Sequence, residues 1–104
     1  PKLLFVIGSM ESNLEFPVSC SQLAQSVGLS TRQLERLFSK YLNQAPTRYY
    51  LKLRLERARY LLLQTSMPIL DIALACGFIS ASHFSKCYRE CFGCTPSEAR
   101  RARQ

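Results

Sequence analysis

The sequence predicts an all-α protein: seven helices, arranged as two helix-turn-helix units joined by a long linker helix. Three observations predict it. Apolar residues recur at helical spacing along the 104 residues, without the sustained alternation a half-buried strand requires. Capping and breaking residues cut that pattern into segments of ordinary helix length. The chain also repeats itself. LAQSVGL, residues 23–29, aligns with IALACGF, residues 72–78, at an offset of 49; after one extra residue near Ile79, STRQLERLFSKYLNQAP aligns with SASHFSKCYRECFGCTP at an offset of 50.

The elements follow in order. Leu3, Ile7, Met10 and Leu14 form one stripe of a first helix that ends before Phe16-Pro17. Ser19 with Gln22 is a capping-box pattern that opens a second helix, and Gly28 stops it. Ser30 with Gln33 repeats the box at once and opens a third. The first helix-turn-helix thus covers about 20–42. Pro46 starts a long amphipathic helix to Gln64, with Leu51, Leu55, Ala58 and Leu62 on its buried stripe. Met67-Pro68 interrupts it. The second unit, about 69–92, comprises a short helix closed by Gly77 and a longer one capped by Ser80 and ended by Gly93. Thr95-Pro96 with Glu98 opens a last helix over about 96–102. In the third and sixth helices, Leu34, Leu37, Phe38, Tyr41 and Leu42 correspond to Phe84, Cys87, Tyr88, Cys91 and Phe92, all expected to face a core. One domain spanning 1–104 accounts for all of this, and 47% apolar residues suffice to build its core.

Charge narrows the function. There are 14 Lys and Arg against 7 Asp and Glu, a net charge of +7, and only Lys2, Glu11 and Glu15 of these precede residue 31. A basic excess concentrated in the repeated part points to a polyanionic partner. The longest apolar run, Leu3 to Ile7, falls far short of the roughly 18 residues a membrane span needs, so a soluble, cytoplasmic protein without membrane contact is expected.

In a helix-turn-helix, one helix braces a second that projects into the DNA major groove. If the stripe begun by Leu34 faces inward, the third helix exposes Arg32, Glu35, Arg36 and Ser39, and the sixth exposes Ser82, Ser85, Lys86 and Arg89. Arginine and lysine reach guanine O6 and N7, serine serves base edges or phosphates, and Glu35 either accepts from a cytosine amino group or orients a neighbouring arginine. The expected base contacts are Arg32, Glu35, Arg36, Ser82, Ser85 and Lys86. Thr31, Gln33, Ser39, Arg48, Ser80, His83 and Arg89 are expected at the DNA backbone. The linker helix, which also carries Lys52, Arg54, Arg57 and Arg59, would space the two reading helices about one DNA turn, roughly 34 Å, apart.

At these residues the chain resembles the AraC/XylS family of bacterial transcription regulators, over about Phe16 to Arg103. DIALACGFISASHFSKCYRECFGCTPSEAR is similar to that family's signature around its second unit, and GLSTRQLERLFSKYLNQAPTRYY to its first. The resemblance implies a seven-helix DNA-binding domain and assigns base contact to the same six residues. It also implies an activator that touches RNA polymerase, and a separate N-terminal effector-sensing and dimerising domain, so that the chain, which starts at Pro1, is expected to be a C-terminal fragment. SASHFSKCYRE further resembles the branch whose sensing domain is of the glutamine-amidotransferase or DJ-1 type. Ala99 departs from the family, which often has an aromatic residue before the equivalent of Arg100.

A competing reading takes His83, Cys87, Cys91 and Cys94 as a thiol- or metal-responsive site. Their spacing puts them along one side of a helix, where four side chains cannot easily surround a tetrahedral zinc, and Cys87 and Cys91 align with Leu37 and Tyr41 of the repeat. No bound metal or cofactor is expected. Only Cys94, past the helix, keeps an open role. An enzyme is not expected either: there is a single histidine, no phosphate-binding glycine loop and no paired carboxylates.

Overall fold

The computed structural model describes residues 1–103. Its seven helices are α1 (Lys2–Ser12), α2 (Cys20–Ser26), α3 (Thr31–Leu42), α4 (Pro46–Gln64), α5 (Ile69–Ala75), α6 (Ala81–Phe92) and α7 (Pro96–Ala102), with no strand among the described residues. The chain divides into two compact units, the first ending at Leu53 and the second beginning at Arg54, so the boundary falls inside α4.

The capping signals act as local chemistry dictates. The Ser19, Ser30 and Thr95 hydroxyls accept the N–H groups of Gln22, Gln33 and Glu98, whose side chains accept the cap residue's own N–H in return. Each reciprocal pair satisfies two helix-end donors. Ser80 accepts the His83 N–H at 3.0 Å. Glycine is required where α2 and α5 turn back. Gly28 (φ 72°) and Gly77 (φ 87°) hold left-handed conformations in which the N–H two residues past the helix cap reaches back to an alanine carbonyl: Leu29 to Ala24 and Phe78 to Ala73, both at 2.9 Å. The glycine N–H groups bond Gln25 and Leu74 in the same way, so both turns are Schellman closures.

In the first unit, Val6, Met10, Leu23, Ala24, Leu34, Phe38 and Tyr50 form the core. In the second, the buried apolar set includes Leu55, Ala58, Leu62, Ile72, Ala73, Cys76, Phe78, Phe84 and Tyr88. The repeat is thus visible in burial: Leu23, Ala24, Leu34 and Phe38 are matched by Ile72, Ala73, Phe84 and Tyr88. Two aligned positions depart from expectation. Tyr41, 62% exposed, and Cys91, also exposed, were to continue the inward stripes of α3 and α6. Periodicity fixes a side chain's direction around the axis but not whether a neighbour stands at that height, and both residues lie in the last turn of their helix. Leu14, too, lies beyond α1, which ends at Ser12, although it still packs on the first unit's core.

Candidate nucleic-acid interface

Burying Leu34 and Phe38 leaves one polar side to α3, and burying Phe84 and Tyr88 does the same for α6. Thr31, Arg32, Gln33, Glu35, Arg36 and Ser39 are all exposed on α3. On α6, Ser82, His83, Lys86 and Arg89 are exposed and Ser85 is half-buried, as is Ser80 at its cap. Ser82, Ser85, Lys86 and Arg89 line one groove together with Glu90 and Thr95. Glu90 went unmarked at the sequence level, although its place four residues after Lys86 puts an acid beside that base on the helix surface.

Several predicted backbone contacts have structural duties as well. Gln33 uses its side-chain oxygen to accept the Ser30 N–H at 2.9 Å, which leaves its amide nitrogen to donate outward. Ser80 caps α6. The His83 ring packs edge-on to Phe78, with centroids 5.7 Å apart, and its Nε2 lies 3.5 Å from Cys87 Sγ. Arg48 is exposed in the first turn of α4. Further along that helix, Arg54 donates to the Cys76 and Gly77 carbonyls at 2.8 and 2.9 Å, and Arg59 lies over the Phe92 ring at 4.4 Å.

Sequence reasoning missed Arg100 and Arg103. Arg100 donates to the carbonyls of Leu62, Thr65 and Met67, and Arg103 to those of Leu62 and Thr65, so α7 closes over the C-terminal end of α4. Cationic side chains there satisfy carbonyls the helix leaves open and oppose its negative pole. The departure at Ala99 does not prevent this docking. The available signal was positional: Arg100 stands at the repeat offset from Tyr50, which ties down a loop in the first unit.

Cys76 is buried in the core, Cys20, Cys87 and Cys94 are half-buried, and Cys91 is exposed. All five are free, and among the described residues no three His, Cys, Asp or Glu side chains gather as a metal site. Burial pushes the Cys76 thiol up to about 11 against the opposing pull of Arg57 and Arg54, and burial likewise raises Cys20 and Cys87. At these three residues the shift is opposite to the one that activates a thiol.

Residues 23–102 match the family described as a helix-turn-helix domain. A crystal structure of a transcriptional regulator with an AraC-type DNA-binding domain, from Chromobacterium violaceum, is 54% identical and superposes with a TM-score of 0.94, covering 99% of this chain and 92% of that one. The chain belongs to the AraC-type helix-turn-helix family. The AraC-type domain is also 59% identical over 100 residues to GbdR, an HTH-type transcriptional regulator of Pseudomonas aeruginosa, covering 96% of this chain but only 27% of GbdR. The DNA-binding domain of AdpA, a global transcriptional factor solved in complex with a target DNA, is 25% identical with a TM-score of 0.90, covering 96% of this chain and 90% of that one. The protein is accordingly a DNA-binding domain of the kind found in transcriptional regulators, and no described helix is long and apolar enough to cross a membrane.

Proposed function

We propose that this domain reads a two-part DNA site by placing α3 and α6 in successive major grooves. Arg32, Glu35 and Arg36 contact bases from α3, and Ser82, Ser85 and Lys86 from α6. Thr31, Gln33, Ser39, Arg48, Ser80, His83 and Arg89 hold the phosphate backbone. The observation that carries this reading is the matched partition of the two helices: the aligned pairs Leu34/Phe38 and Phe84/Tyr88 are buried, and the opposite sides carry base-reading side chain types, all exposed apart from the half-buried Ser85. The DNA-binding domain of AdpA, which shares this fold, was solved on its target DNA, which favours the same partner here.

Within a longer protein, the domain serves a bacterial cytoplasmic regulator that activates transcription through contact with RNA polymerase, under an N-terminal sensing and dimerising domain. The resemblance of SASHFSKCYRE supports a sensing domain of the DJ-1-like branch. No catalytic step belongs to this domain. Fluorescence anisotropy against a labelled duplex recovered from a random pool tests the reading. Affinity should fall linearly on logarithmic axes with salt, by about 0.9 per neutralised phosphate. A scrambled duplex should bind roughly a thousandfold more weakly. Equal binding to both duplexes, or no salt dependence, would sink the proposal.

A further inference from the structure

We infer that Arg54 is a positioning residue for the second reading helix, a role that rests on the proposed base contacts of α6. The guanidinium forks onto two successive peptide groups of the turn: Nε donates to the Cys76 carbonyl at 2.8 Å and Nη2 to the Gly77 carbonyl at 2.9 Å. Its central carbon lies 4.3 Å from the centroid of the Phe78 ring, the next residue along. Phe78 in turn packs against Phe84, the first buried residue of α6, with centroids 5.1 Å apart. One side chain of α4 therefore grips three successive residues of the turn that leads into α6. The rigid planar fork fixes both carbonyls at once, which a single ammonium cannot do.

Leverage makes this matter for readout. At about 1.5 Å rise per residue, a 10° change in direction at the start of α6 displaces Lys86, the proposed base contact furthest along that helix, by about 1.3 Å. A base-edge hydrogen bond fails over such a distance, because its useful range spans only about 0.5 Å. Attraction to a phosphate declines gradually with distance and survives the shift. Loss of Arg54 should thus degrade sequence discrimination by α6 while leaving nonspecific, salt-dependent binding in place.

The test compares the wild-type chain with Arg54→Met, which keeps an apolar stem over Phe78, and Arg54→Lys, which keeps charge without the fork. The duplex is the one recovered from a random pool by the wild type, and Lys86→Ala marks which half of the site α6 reads. Arg54→Met should lose roughly tenfold in discrimination at that half, within the usual worth of a bidentate base contact. The other half, the salt slope and the helical circular dichroism should stay at wild-type values, and Arg54→Lys should not restore discrimination. Unchanged discrimination in Arg54→Met, or full rescue by lysine, would overturn the inference. So would a joint loss of helix signal and salt slope, which would make Arg54 structural only. A wild-type chain that selects no two-part site would remove the functional reading itself and this role with it, a result visible before any variant is measured.

Discussion

Tyr50 and Arg100 make the same connection in their separate units. The Tyr50 hydroxyl donates to the carbonyl of Asn13, the first residue beyond α1, and accepts the N–H of Val18, two residues ahead of α2, at 3.1 Å. The Arg100 guanidinium donates to the carbonyl of Thr65, the first residue beyond α4, at 3.1 Å, and to that of Met67, two residues ahead of α5. Each side chain comes from the fifth position of a helix started by a buried proline, Pro46 or Pro96. The repeat therefore extends past the aligned motifs into the fastening of the loop before each bracing helix, with a neutral hydroxyl in one unit and a cation in the other.

Removing these fasteners should cost unequal amounts. Tyr50→Phe keeps the buried ring and should lower stability by about 1–2 kcal/mol, the net worth of its two neutral hydrogen bonds, whereas Arg100→Met should cost about 2–3 kcal/mol because charge-assisted bonds are lost together. Urea unfolding followed by circular dichroism measures both. Equal losses would mean that the charge of Arg100 adds nothing to its bonds, and no loss in Arg100→Met would mean that its stem alone holds it.

The turns after the two reading helices differ in a way that predicts a ranked series. Asn43 (φ 57°) and Gly93 (φ 84°) both take the left-handed conformation at aligned positions. A Cβ at Gly93 would meet nothing within 4 Å, so any penalty there is conformational. Gly93→Ala should cost about 1–2 kcal/mol, and Gly93→Asn less, since asparagine tolerates this region. Thermal unfolding midpoints should rank glycine above asparagine above alanine.

Glu98 gives α7 a pH-dependent cap. The Thr95 N–H, donated to its carboxylate at 2.8 Å, is the main cause holding that carboxyl below the usual range, followed by the Thr95 side chain. The contribution is therefore present above the ordinary glutamate value of about 4.3 and is lost as pH falls through the lower folded value. Glu98→Gln reproduces the neutral box seen at Ser19–Gln22 and Ser30–Gln33. It should flatten the acid limb of the stability curve while leaving helix content unchanged at neutral pH.

Local chemistry made most of the fold legible. Serine or threonine followed three residues later by glutamine or glutamate marked three helix starts, and glycines after bracing helices marked the turns. The repeat then separated buried from exposed faces, because a side chain pair such as Leu34 and Phe38 is informative only when Phe84 and Tyr88 repeat it. What escaped notice was long-range. The partners of Arg100 lie more than thirty positions away, and Tyr41 and Cys91 are exposed although they stand at helical spacing from buried residues. In the sequence Arg54 is one of several bases on the linker helix with nothing to set it apart; only folding brings the Cys76 and Gly77 carbonyls against it.

The most direct test of the account is selection from random duplexes by the wild-type chain, Arg36→Ala and Lys86→Ala in parallel. The wild type should return two conserved half-sites about 10–10.5 base pairs apart. Each substitution should cost roughly 1–3 kcal/mol on that site and relax preference in one half only, a different half for each. If both variants relaxed the same half, or if both kept the full wild-type preference, α3 and α6 would not be the paired readers of one site.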